Sequence, residues 1–141
     1  GCDEVINYSK EDFAKKVMEI TNGEGVSVVY DGVGKSTFDK SIECLKLRGT
    51  MVSFGNASGA LDPIVVSKSL QPKGIYFVRP AMMQYLTTRE EIEEASNMLF
   101  KQISSGKIKI EIYKKYKLEE VIQAHKDLEG RKIIGPAVII P

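Results

Sequence analysis

Cysteine is scarce: Cys2 and Cys44 are the only two among 141 residues. Two cannot build a disulfide scaffold, and neither has a Cys or His partner at zinc-ligand spacing. A reducing, cytoplasmic setting without a metal site is therefore expected. Long hydrophobic runs are missing as well. Runs such as residues 64–66 and 138–140 fall far short of the ~18 apolar residues of a membrane helix. An excess of one charge is missing too, because 20 Lys and Arg face 19 Asp and Glu for a formal +1. No global field marks the chain for nucleic acid, an anionic membrane or an acidic substrate. His125 is the single histidine, with no second His or Cys at ligand spacing, which speaks against catalysis or metal binding there. The opening Gly1-Cys2-Asp3-Glu4 has neither an initiator Met nor a basic and apolar signal sequence, and reads as a cut end.

What is present is 43% hydrophobic and 28% charged, the composition of a globular domain with one sizeable core. Residues 5–8 (Val-Ile-Asn-Tyr) read as a short strand, and Ser9 with Asp12 as a capping box. Phe13, Val17 and Ile20 then recur at helical spacing until Asn22-Gly23 supplies a stop. The unit repeats. Residues 26–30 are nearly continuous in β-formers, Asp31-Gly32-Val33-Gly34 turns the chain, and Ser36 with Asp39 is expected to cap a helix carrying Phe38, Ile42 and Leu45. Residues 50–54 form a third predicted strand. After the small-residue loop 55–59, Asp62-Pro63 is expected to start a short helix reaching about Leu70, and residues 75–78 make a fourth strand.

Strands apolar on both faces and separated by helices predict a parallel sheet covered on both sides, an α/β core. Thr88 and Glu91 are expected to cap a longer helix carrying Ile92, Ala95, Leu99 and Ile103 and ending at Gly106. Beyond it the pattern changes. Residues 108–112 alternate as a half-exposed strand would, which predicts a different sheet and a domain border near 106. Residues 118–128 predict a final amphipathic helix, and 137–140 a last strand. Lys107, Lys109, Lys114, Lys115 and Lys117 interleave with Tyr113 and Tyr116. With Glu111, Glu119 and Glu120 adjacent, they read as a solvated strand edge rather than a nucleic-acid strip.

At residues 5–8 (Val-Ile-Asn-Tyr), 28–34 (Val-Val-Tyr-Asp-Gly-Val-Gly), 51–56 (Met-Val-Ser-Phe-Gly-Asn) and 78–80 (Val-Arg-Pro), the chain resembles the NADPH-dependent quinone oxidoreductases. These are the zeta-crystallin-like branch of the medium-chain dehydrogenase/reductase superfamily. The resemblance runs in order through Thr87-Thr88-Arg89-Glu90-Glu91 to the closing residues 135–141. It implies an incomplete Rossmann-type doubly wound sheet in which residues 5–8 are the third strand and the next three are the fourth to sixth. The glycine-rich turn and helix that bind the cofactor pyrophosphate in such folds are not in this sequence. The resemblance thus implies a C-terminal fragment, with residues 1–106 from the NADPH-binding domain and 107–141 returning to the catalytic domain.

Ligands of doubly wound sheets sit beyond the carboxyl ends of the strands, and the resemblance points to the same places. It implies that Tyr8 helps hold the adenosine end carrying the extra phosphate of NADPH, although a strand-end tyrosine also serves as rim packing. Family members often have serine where Gly32 stands, so only Val33 is carried over from that turn. Phe54, Gly55, Asn56 and Ala57 are implied to border the nicotinamide half. Pro80, Ala81 and Met82, after Arg79, are implied to lie against the carboxamide through their backbone. Arg131 matches a family arginine able to meet phosphate oxygens; a solvated helix-end arginine is the other reading. The implied reaction is zinc-independent transfer of electrons from NADPH to a quinone or conjugated carbonyl. No general acid or base can be named, and the 141 residues alone are expected to be inactive. The alternative is an oligomerisation module, because family dimers pair through the edge strand matching residues 75–78.

Overall fold

The computed structural model describes residues 2–141, which form two compact units, residues 2–85 and Leu86–Pro141. The first contains α1 (Phe13–Ile20), β1 (Val26–Asp31), α2 (Phe38–Cys44), β2 (Leu45–Ser53), α3 (Val66–Ser69) and β3 (Tyr76–Val78). Its sheet has the order β1-β2-β3 and both pairings are parallel. Val28 to Asp31 stand opposite Thr50 to Ser53, and Thr50 to Val52 opposite Tyr76 to Val78. The expected α/β core with parallel strands is therefore present. Phe38, Leu45, Met51 and Ile75 are buried at its centre, with Val29, Ile42 and Phe77 packed against them. The Phe38 and Phe77 rings meet edge to face at 6.1 Å, the geometry favoured by the ring quadrupoles.

Local chemistry sets the element ends, not always at the expected residue. Asp12, rather than Ser9, caps α1: its Oδ1 accepts from the amides of Ala14 at 3.0 Å and Lys15 at 3.2 Å. Its other oxygen takes the Lys40 ammonium at 2.6 Å, tying α1 to α2. Asn22 and Gly23 leave the helix at positive φ, and the Gly23 amide donates back to the Met18 carbonyl at 2.7 Å, as helix-ending motifs do. Lys73 caps α2 from across the chain, its ammonium donating to the carbonyls of Ile42, Glu43 and Leu45 at 3.3, 2.7 and 2.6 Å. Asp62 does not start a helix. It pairs with Lys35 at 3.0 Å, and only α3 forms further on. Nor does Ser36 cap α2, whose first-turn neighbour is Thr37.

The expected strand at residues 5–8 does not form, so the sheet has three strands rather than four. Asn7 decides this. Its carbonyl accepts from the amides of Lys10 at 2.8 Å and Glu11 at 3.1 Å, and its side-chain oxygen from Ser9 at 3.1 Å. Asparagine offers its own backbone a turn, and without a neighbouring ladder the β-formers Val5 and Ile6 have nothing to pair with. Val5 is left 83% exposed.

The second unit contains α4 (Arg89–Ser104), β4 (Lys114–Lys117), α5 (Val121–Glu129) and β5 (Ala137–Ile140). Thr88 and Glu91 cap α4 reciprocally, the Glu91 amide donating to Thr88 Oγ1 at 3.2 Å and the Thr88 amide to Glu91 Oε2 at 2.9 Å. Gly106 follows at φ 74°. Strands β4 and β5 pair in parallel from Lys114 opposite Ala137 to Lys117 opposite Ile140. The strand expected at 108–112 is instead irregular. Proline explains the limit: the Tyr113 amide donates to the Pro136 carbonyl at 2.8 Å, but Pro136 has no N–H to return, so the ladder stops there.

Candidate cofactor-binding rim

β1 ends on a buried carboxylate. Asp31 Oδ1 accepts from the amides of Val33 at 2.8 Å and Gly34 at 2.9 Å. Its Oδ2 accepts from the hydroxyls of Thr37 and Ser41, both at 2.8 Å. Burial, the largest influence, pushes the Asp31 pKa upward, but the bonds from Gly34, Thr37, Ser41 and Val33 together overrule it and hold the carboxyl below its ordinary value. The turn after β1 and the first turns of α2 are thus organised around one side chain.

The loop after β2 is latched onto that turn. The amides of Phe54 and Gly55 donate to the Asp31 carbonyl at 3.0 and 3.3 Å, Ala57 to the Gly32 carbonyl at 3.3 Å, and Ser58 to the Val33 carbonyl at 2.7 Å. Such approach requires missing side chains. A Cβ on Gly55 would lie 2.8 Å from Gly32 Cα, and one on Gly34, at φ 90°, would lie 2.8 Å from the Gly59 carbonyl oxygen. The space beside Gly32 is taken by the Phe54 ring, 3.0 Å from where its Cβ would stand.

The loop after β3 joins from the other side. Arg79 Nη1 donates to the Ser53 carbonyl at 3.2 Å and hydroxyl at 3.1 Å. Phe54, Arg79, Pro80, Ala81, Met82 and Tyr85 then line an open groove of about 620 Å³. Val33, Gly55, Asn56 and Ala57 accordingly sit in two mutually hydrogen-bonded loops, and Phe54 with Pro80, Ala81 and Met82 forms one groove. Tyr8 stands apart, in the turn before α1, with its ring edge-on to Phe13 at 6.3 Å. Arg131 belongs to the second unit, exposed and at φ 54° just past α5.

Sequence reasoning missed Asp31, Thr37 and Ser41 at this rim, and Asp127 in the second unit. Asp127 is buried. It accepts from Lys114 Nζ at 3.0 Å, the Tyr116 hydroxyl at 2.8 Å and Gln123 Nε2 at 2.8 Å. Those bonds, Lys114 first, bring its pKa down to about 2. The available signal was an acidic residue on the apolar side of a helical repeat, beside Ala124 and Leu128. His125 lines an apolar pocket of about 350 Å³ with Tyr116, Leu128, Ile133 and Val138. Among the described residues, no three His, Cys, Asp or Glu side chains converge as metal ligands would, and no helix is long and apolar enough to cross a membrane.

The family described as "Zinc-binding dehydrogenase" matches residues 1–139. The chain belongs to that family. It is 45% identical over 142 residues to the 2-haloacrylate reductase of Burkholderia sp and 46% identical over 143 residues to quinone oxidoreductase 1 of Escherichia coli strain K12. Both matches cover 100% of this chain and 43% and 44% of the relative, respectively. The crystal structure of Escherichia coli quinone oxidoreductase complexed with NADPH superposes at a TM-score of 0.94 with 45% identity, over 100% of this chain and 44% of that one. The chain thus spans less than half the length of the curated relatives it matches.

Proposed function

We propose that the chain is part of an NADPH-dependent oxidoreductase that passes electrons to a quinone or another conjugated carbonyl. The observation that carries this reading is the convergence of Phe54 with Pro80, Ala81 and Met82 on one groove beyond the carboxyl ends of β2 and β3. That is where open α/β sheets bind ligands. The likeness to a quinone oxidoreductase solved with NADPH supports it.

The donor set fits the ring-bearing parts of a dinucleotide. Phe54 and Met82 are exposed apolar surfaces, and Asn56 offers an amide with both donor and acceptor. NADPH, when bound, supplies the hydride. Phe54, Pro80, Ala81 and Met82 would hold and orient the nicotinamide end and exclude water. Gly55, Asn56 and Ala57 would border the same nicotinamide half, Val33 a ribose or the adenine, and Tyr8 the phosphate-bearing adenosine end. Residues 1–106 serve the cofactor domain in this reading, and 107–141 the catalytic domain. The free cysteines Cys2 and Cys44 suit the cytoplasm.

The sequence contains no glycine-rich pyrophosphate turn, and charge-assisted phosphate contacts are worth about 1.5–3 kcal/mol each. The 141-residue chain is therefore expected to bind NADPH only in the millimolar range and to show no quinone turnover. Calorimetric titration with NADPH, followed by a quinone assay, tests this. Absence of any NADPH binding at millimolar concentration rejects the cofactor reading. Micromolar binding with turnover shows that these residues hold a complete site.

A second reading is favoured by the sheet edge: among the described residues β3 has no partner on its outer side, and Tyr76 is 65% exposed. We propose that a second copy of the chain pairs along residues 75–78.

A further inference from the structure

Asp31 does two things at once. Its carboxylate gathers the turn after β1 and the start of α2 through Val33, Gly34, Thr37 and Ser41. Its main-chain carbonyl receives the amides of Phe54 and Gly55 from the loop after β2. The residue is 4% exposed, so it touches no ligand itself. A carboxylate has about four lone-pair sites, and the two amides and two hydroxyls account for them. An ionised group with every site occupied at 2.8–2.9 Å is a rigid fixture, because shifting any one partner leaves a buried charge under-satisfied.

From this arrangement we infer that Asp31 is the positioning residue of the NADPH-binding rim: it sets Val33 and the Phe54–Gly55 backbone at one separation, so that the two loops are held in their binding geometry before the cofactor arrives. The inference rests on the proposed cofactor reading and adds to it the residue through which the loops are prearranged. Prearrangement acts on affinity, since a loop already ordered loses less freedom on binding.

The isotope-labelled 141-residue chain, wild type and variants, is titrated with NADPH to several millimolar, following backbone amide signals. In the wild type, the amides of Val33, Phe54, Gly55 and Asn56 are expected to shift as NADPH is added. Asp31→Ala removes the side-chain bonds to all four partners and should weaken the fitted affinity tenfold or more, while signals of α1 and of the second unit keep their positions. Asp31→Asn keeps one acceptor oxygen for the Val33 and Gly34 amides, and its NH2 can meet the hydroxyls once they rotate. It should lose about threefold. Val26→Ala, at the opposite end of β1, is the control: it should lower the unfolding midpoint and leave the affinity unchanged, as a purely structural role for Asp31 also would. A folded Asp31→Ala chain with wild-type affinity overturns the inference. Where Asp31→Ala loses the native pattern, Asp31→Asn decides, and wild-type affinity in that variant overturns it equally. If no wild-type loop amide shifts, the cofactor reading fails first and the positioning role falls with it.

Discussion

Arg79 reaches back across the end of the sheet to Ser53, giving one guanidinium nitrogen to both its carbonyl and its hydroxyl. The contact fastens the loop after β3 to the strand before Phe54, so the two walls of the groove share a support. Ser53 is fully buried. Arg79→Ala should destabilise the first unit by about 1 kcal/mol and release the 79–85 loop. Chemical denaturation measures the first effect. Faster amide exchange at Ala81 and Met82 reports the second, and unchanged exchange there would show that the loop is held by something else.

Gly55 admits no side chain. Its Cβ would stand 2.8 Å from the Gly32 carbonyl carbon and Cα, atoms of a backbone fixed by Asp31. Gly55→Ala is therefore expected to cost about 2–3 kcal/mol, and to part the two loops rather than the core. The urea midpoint gives the cost, and loss of the Ala57 and Ser58 amide protection locates it.

Asp127 gives the second unit an acid-sensitive point. Its pKa is brought from 3.8 to about 2 by the bonds from Lys114, Tyr116 and Gln123. A depressed carboxyl contributes stability that is complete above the ordinary pKa and fades as pH falls through the folded one. The loss should run from about pH 4 to about pH 2. In Asp127→Asn the structure is weaker at neutral pH and this acid step is absent. Tyr116 ring signals followed through urea unfolding at stepped pH resolve the two curves.

Pairing along β3 predicts a dimer at micromolar concentration. Lysine on an edge strand opposes strand addition, so Tyr76→Lys with Val78→Lys should give a monomer in sedimentation, with the β1–β2 ladder intact. A wild-type monomer, or a dimer indifferent to both lysines, excludes that edge.

Legibility in the sequence followed the range of the forces involved. The Thr88–Glu91 cap and the Asn22-Gly23 stop could be read directly because each is complete within a few residues. Residues 5–8 misled, since β-propensity says that a segment suits a sheet and not that a partner stands beside it, and the turn made by Asn7 needs none. The alternation at 108–112 misled for a related reason, because Pro136, more than twenty residues on, limits the ladder. Phe54, Pro80, Ala81 and Met82 were located by resemblance and by the rule about strand ends, and the structure brings them to one groove. Asp31 went unread although its side-chain partners lie within ten residues. A charged residue closing an apolar strand looks like a turn residue until Thr37 and Ser41 are seen to face it.

β3 is joined to β2 by three register pairs, against five between β1 and β2. Local openings draw on the least-held element first, and here that element leads into the loop of Arg79, Pro80 and Met82. Each opening of β3 dismantles one wall of the groove and leaves the Asp31-centred half standing. The groove therefore has its own lifetime, shorter than that of the fold around it, and a ligand spanning both walls would lengthen it by closing the sheet's weakest seam.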